Sequence, residues 1–120
     1  MPINVELLSR ICKEPGAPGF ETRIRNVVLE ELEGLADDVR VDAIGNVIAL
    51  KRGKSSKMKS MAAAHMDEIG FIVTHIDPDG FLRFHPLGGF DPKTLTSQRV
   101  IVHGRRDLIG VMGSKPVHIM

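Results

Sequence analysis

Three patterns of apolar and polar positions follow one another along the chain, and each asks for a different backbone. Val5, Leu8 and Cys12 share one helical stripe with Leu7 and Ile11 beside it, and Asn4 is placed to cap the start. Pro15-Gly16-Ala17-Pro18-Gly19 forbids continuation, because proline lacks a donor and glycine favours turns. Phe20, Ile24, Val27, Val28, Leu32 and Leu35 then recur at helical spacing. They predict a second amphipathic helix of about four turns, stopping near Gly34. Its other face carries Glu21, Arg25, Glu30, Glu31 and Glu33, a solvated face.

Beyond Asp38 the period shortens. Residues 39–43 and 46–51 read as extended segments, with Gly45-Asn46 as the turn between them. GKSSK, residues 53–57, is a polar surface connection. MKSMAAAHM, residues 58–66, reads as a strand, because the run is short and the β-branched FIVTHI follows it, although alanine propensity alone would allow helix. FIVTHID and FLRFHPL flank Pro78-Asp79-Gly80, a strong turn signal. QRVIVHG and LIGVMG flank a second turn at Arg105-Arg106-Asp107. Between these hairpins GGFDPKTLTS is a Gly/Pro-rich connection with room for one helical turn. The character changes near Gly70, from an α/β part to a β part, with no internal repeat.

Composition narrows the classes. At 120 residues the chain suits one modest domain. Sixteen basic and fifteen acidic residues leave a net charge of +1, which gives no reason to expect nucleic acid or an anionic membrane as partner. Five Phe with no Trp or Tyr argue against a stacking platform for single strands. The lone Cys12 cannot form an internal disulfide and reads as a small core residue. MPINVELLSR lacks the pattern of a secretory signal, and no run approaches the roughly 18 apolar residues of a membrane helix. The expectation is a soluble, cytoplasmic protein.

The chemistry concentrates in AAAHMDEIG, residues 62–70. On an extended backbone His65 and Asp67 project together while Glu68 points away. If one ring nitrogen of His65 takes a metal, Asp67 can accept from the other, fix the tautomer and raise the ligand's basicity. Gly70 would let the backbone turn out of such a site. An H-x-D triplet alone does not choose between a metal ligand and a surface loop, and a tetrahedral zinc site needs three or four protein ligands. His75, His85 and His103 read as surface or structural histidines in strands. Asp77-Pro78-Asp79-Gly80 misses the spacing of a calcium loop and is a turn. Asp67 and Glu68, on opposite faces, cannot straddle one glycosidic bond across the roughly 5–9.5 Å it needs. No G-x-S-x-G elbow and no P-loop is found.

The sequence resembles the N-terminal part of the tetrahedral aminopeptidases, also called glutamyl or deblocking aminopeptidases and sometimes endoglucanase. These belong to a wider group of di-zinc exopeptidases. The resemblance runs through ordered blocks: PGAPGFE at 15–21, VDAIGNVIA at 41–49, AAHMDEIGFIVTHI at 63–76, GFLRF at 80–84 and LGGFDPKTLTSQRVIVHG at 87–104. KPVHIM at the end looks like the family's Pro-x-His stretch. The fold this implies is α/β: the N-terminal part of a di-zinc aminopeptidase catalytic domain over residues 1–70, then the first part of a β-barrel, PDZ-like insert over 71–120.

By the same resemblance His65 is the first ligand of a two-metal centre of zinc, cobalt or manganese, and Asp67 is the catalytic-site acid that orients its imidazole. His118 lies in the Pro-x-His stretch and is a candidate for approaching an active site or a subunit contact. The implied reaction removes N-terminal residues from peptides by attack of metal-activated water, in homo-oligomers whose dimers build a large hollow particle through the β insert. The family's bridging aspartate, its glutamate general base and its further ligands follow the insert. At most one metal ligand is therefore present here, and the 120 residues alone are expected to be inactive: a truncated piece, an incomplete reading frame or a degenerate gene product. Ala62, Ala63 and Ala64 also depart from the larger apolar residues of the family's strand, and Ser60 is an odd polar residue there. The competing reading is a non-catalytic β-rich assembly or interaction module carried by residues 71–120. Cut before closure, its strand edges would invite association.

Overall fold

The computed structural model describes residues 3–55 and 57–113. They form two compact units, one up to Leu87 and one from Gly88 onward, each described by itself.

In the first unit, helix α1 spans Val5–Lys13, and Asn4 caps it by accepting from the Leu7 N–H at 3.0 Å. None of its residues is buried. Cys12, expected in a core, is exposed, because the stripe it belongs to stays open to solvent along the whole helix. Charge ties α1 to the helix that follows: Arg10 bridges Glu30 and Glu31, and its own pKa is raised by the bond to Glu30.

Helix α2 spans Thr22–Leu32, a turn shorter than its apolar spacing predicts. At the front, Gly19 takes a positive φ of 84° and the Phe20 N–H closes a turn onto the Ala17 carbonyl. At the back, the Glu33 N–H turns to Glu30 O and Gly34 adopts a φ of 72°, which stops the helix and leaves Leu35 outside it. Ile24 and Val27 are its buried residues, at 3% and 5% exposure, and burial of each contributes roughly 1.5–3 kcal/mol. Gly16 packs directly on Ile24: a Cβ there would sit 2.6 Å from Ile24 Cγ2. The Pro/Gly-rich loop is thus pinned to α2.

Strands β1 (Asp38–Val41) and β2 (Val47–Leu50) form an antiparallel pair in the register Asp38↔Leu50 to Val41↔Val47, and α2 packs on β2. Asp37 accepts from the backbone N–H of Arg52 and from Lys51, which hold its carboxyl below the usual carboxylate range.

Residues 58–69, expected to begin with a strand, join no sheet. Ala62, Ala63 and Ala64 are exposed, and Met58 and Met61 are 84% and 90% exposed. Alternation cannot hold a strand by itself: a ladder needs a neighbouring backbone, and three methyl groups bury too little to draw one in.

β3 (Gly70–Ile76) and β4 (Leu82–Leu87) make the hairpin expected around Pro78-Asp79-Gly80. Asp77 Oδ1 accepts from the N–H groups of Asp79 and Phe81 and closes the turn. Phe71 and Phe84 meet edge to face at 4.9 Å. The register shifts between Val73 and His75, and Thr74 at the bulge donates to the Arg83 carbonyl.

In the second unit a 3-10 turn at Pro92–Thr94 is capped by Asp91. Antiparallel strands β5 (Arg99–His103) and β6 (Asp107–Val111) form the expected second hairpin. Met112 is buried at 7% exposure, and its backbone pairs with Gln98 and Ser97. Among the described residues no helix is long and apolar enough to cross a membrane.

Candidate functional site

His65 lies in the ladderless stretch, and a backbone hydrogen bond ties the chain just beyond it. The Glu68 N–H donates to the carbonyl of buried Gly16 at 2.9 Å, so the pinned Pro/Gly loop in turn holds residues 65–68. There His65 Nδ1 lies 2.9 Å from the Asp67 carbonyl oxygen and 3.3 Å from Asp67 Oδ1.

A carbonyl can only accept. Nδ1 is therefore the donor, and in the neutral ring the lone pair falls on Nε2, on a side chain that is 85% exposed. This is the tautomer a metal-binding histidine needs when its second nitrogen is held by an oxygen. The sequence argument brought the Asp67 carboxylate to the ring, but the shorter contact is with the backbone of the same residue.

A cleft of about 450 Å³ opens at this point, lined by Glu21, Ile44, Gly45, Asn46 and residues 63–67. Its polar groups come from three places: the start of α2, the β1–β2 loop and the His65 segment. The loop is clamped by Asp42, which accepts from the Ile44 and Asn46 N–H groups and from Asn46 Nδ2. The bond from the Asn46 side chain is the main cause holding the Asp42 carboxyl below its ordinary pKa, with the backbone bonds assisting and desolvation opposing. Gly45 has a φ of 95°, and a Cβ there would lie 2.7 Å from Arg25 Nη1. Neither Asp42 nor Glu21 was singled out as a site residue from the sequence. The available signal was an aspartate four residues before Asn46 across a glycine.

His75 and His85 lie on β3 and β4 opposite Arg83 and Ile72, and His103 Nδ1 bonds Asp107 Oδ1 at 2.9 Å. None of the three lines the cleft. His118 lies outside the described residues. Among the described residues no three His, Cys, Asp or Glu side chains gather as a metal-holding group. The donor set therefore fits one ligand position, the Nε2 of His65, and does not fit a whole two-metal centre.

Residues 45–120 match the M42 glutamyl aminopeptidase family. A lysyl aminopeptidase of Pyrococcus furiosus is 42% identical over 119 residues, covering 98% of this chain and 34% of that protein. The chain belongs to the M42 glutamyl aminopeptidase family. The structure of an aminopeptidase from the archaeon Desulfurococcus kamchatkensis superposes with a TM-score of 0.90 at 39% identity, over 96% of this chain and 32% of that one. A Pyrococcus horikoshii TET1 peptidase, described as assembling into a tetrahedron or a large octahedral shell, gives a TM-score of 0.76 at 38% identity, over 96% and 34%. The chain spans about a third of the length of these M42 relatives.

Proposed function

We propose that these residues are the N-terminal portion of a metal-dependent aminopeptidase, which removes N-terminal residues from peptides. The observation that carries the reading is the ring of His65, with Nδ1 held by Asp67 on a side chain that is 85% exposed. Divalent ions, when bound, supply Lewis-acid polarisation of the peptide carbonyl and a water made acidic enough to attack at neutral pH. This chain's part is narrower. His65 offers one imidazole nitrogen, and Asp67 keeps it in the ligating tautomer; zinc, cobalt and manganese are the candidate ions.

One imidazole cannot hold two ions, so the 120 residues by themselves are inactive, and the remaining ligands and the general base come from the further length that the relatives have. The domain division is proposed as at the sequence level, with catalytic-domain residues to 70 and the barrel-like assembly insert after them. Homo-oligomers, like the shells of the Pyrococcus horikoshii peptidase, are the proposed state of the whole protein, in the cytoplasm.

The test supplies the chain with a polypeptide covering the remaining two thirds of a relative's length and follows aminoacyl-anilide cleavage with zinc or cobalt. Cleavage that appears on mixing, disappears with a chelator and is lost in His65→Ala supports the proposal. No metal-dependent gain, or full activity in His65→Ala, overturns it. The exposed Ile101, Ile109 and Val111 of the second hairpin favour a second reading, a purely assembling module. Under that reading the mixture oligomerises without cleaving.

A further inference from the structure

The loop between β1 and β2 is held together by one carboxylate. Asp42 Oδ1 accepts from the Ile44 N–H at 3.1 Å and the Asn46 N–H at 2.9 Å, and Oδ2 accepts from Asn46 Nδ2 at 2.8 Å. The backbone closes the same loop, Gly45 N–H to Asp42 O at 3.1 Å and Asp42 N–H to Asn46 O at 3.0 Å. Asp77 supplies a simpler version at the β3–β4 turn, with bonds to the Asp79 and Phe81 N–H groups.

Two things set the Asp42 loop apart. Its clamp includes a side chain at both ends, and the residues it fixes are cleft residues: Ile44, Gly45 and Asn46 share the cavity with His65 and Asp67, whereas the Asp77 turn lines none of it. Ile44 is 83% exposed, so burial does not hold it in place. The bonds to Asp42 do.

We propose that Asp42 is a positioning residue: it holds residues 44–46 as a fixed wall of the cleft that His65 and Asp67 line, so that the bound peptide meets a preformed surface there. Asp42 touches neither the substrate nor the reacting atoms; it acts through Ile44 and Asn46. The reactive role of the cleft rests on the aminopeptidase reading above. The control of its shape by Asp42 does not.

The experiment uses the labelled 120-residue chain and follows amide exchange and chemical shifts by NMR. In Asp42→Ala, exchange at Ile44 and Asn46 is expected to rise at least about tenfold, as for any loss of local protection. The resonances of Ala63, Ala64, His65 and Met66 shift with it. Asp42→Asn keeps an acceptor oxygen and restores most of both signals. Asp77→Ala, which removes the comparable bonds at the other turn, leaves residues 63–66 unmoved.

Shifts confined to residues 41–47 in Asp42→Ala would make Asp42 a turn residue only and overturn the proposal. If that variant unfolds, Asp42→Ser, which keeps a weaker turn acceptor and loses the bond to Asn46 Nδ2, is read in the same way. In the complemented, cleaving mixture, Asp42→Ala raises KM with kcat little changed, the signature of lost substrate positioning. A mixture that never cleaves sinks the peptidase reading, while the NMR result still decides the role of Asp42.

Discussion

Residues 42–46 and residues 58–69 each contribute to the same cleft, through 44–46 and 63–67, and are organised in opposite ways. The first stretch satisfies its polar groups within five residues: Asp42 takes up the N–H groups of Ile44 and Asn46, and no distant part of the chain is needed. The second makes no ladder, exposes its alanines with Met58 and Met61, and is tied at its far end, where Glu68 reaches Gly16. Local chemistry builds one wall. The other wall depends on what lies beside it, and the His65 imidazole lies on that second wall.

The largest test of that contrast is at the anchor. Ile24 is buried beneath Gly16, and Gly16 holds the Glu68 end of the second stretch. Ile24→Ala is expected to lower stability by about 2–5 kcal/mol, the range for truncating a buried aliphatic side chain. Urea unfolding measures it. A loss under about 0.5 kcal/mol, the scale of an ordinary surface change, would mean that the anchor is not where the fold is held.

Next in size is the locally built wall. Gly45→Ala forces a side chain into a φ of 95° and towards Arg25 Nη1. The expected cost is about 1–2 kcal/mol, the penalty an L-residue meets with left-handed backbone. Equal stability of the variant and the parent would show that the loop can relax into another turn.

What the sequence made legible follows the same division. The capping by Asn4, the stop at Gly34 and both hairpin turns were readable because each is decided by residues only a few places apart. The pairing of His65 with Asp67 was readable for the same reason, being an i to i+2 relation. The exposure of Cys12 and the ladderless state of residues 58–69 were not, since periodicity says which face wants cover and not what covers it. Glu21 reads from the sequence as part of a solvated face, because only the fold carries the start of α2 to the cleft. Asp42 escaped because its bonding to the loop is ordinary turn chemistry until the loop is seen to line the site.

A smaller effect appears with acid. The folded pKa of Asp42 is lowered, chiefly by the bond from Asn46, so its contribution is fully present above the ordinary aspartate value, about 3.9. It is lost as pH falls through the depressed folded value. Amide protection at Ile44 and Asn46 should therefore hold through neutral and mildly acidic pH and collapse only below the usual carboxylate range, with the intrinsic exchange rate at each pH divided out. Asp42→Ala should abolish that step. Protection that fades already near neutrality would place the clamp on some other group.

The smallest change is expected in the ladderless stretch just before the other wall, and its smallness is what makes it informative. Met61 is 90% exposed, so Met61→Ala removes almost no buried surface. The chain's stability should move by less than about 0.5 kcal/mol. The same substitution in the complemented mixture is a different experiment. If the added polypeptide lays a strand along residues 58–64, Met61 becomes a packed side chain, and truncating it should weaken the complex by about 2–5 kcal/mol if burial is complete. A cost in the mixture with none in the isolated chain would identify this stretch as the wall that waits for its neighbour. A similar cost in both would mean that residues 58–69 already have their partners, and the contrast with the Asp42 loop would be lost.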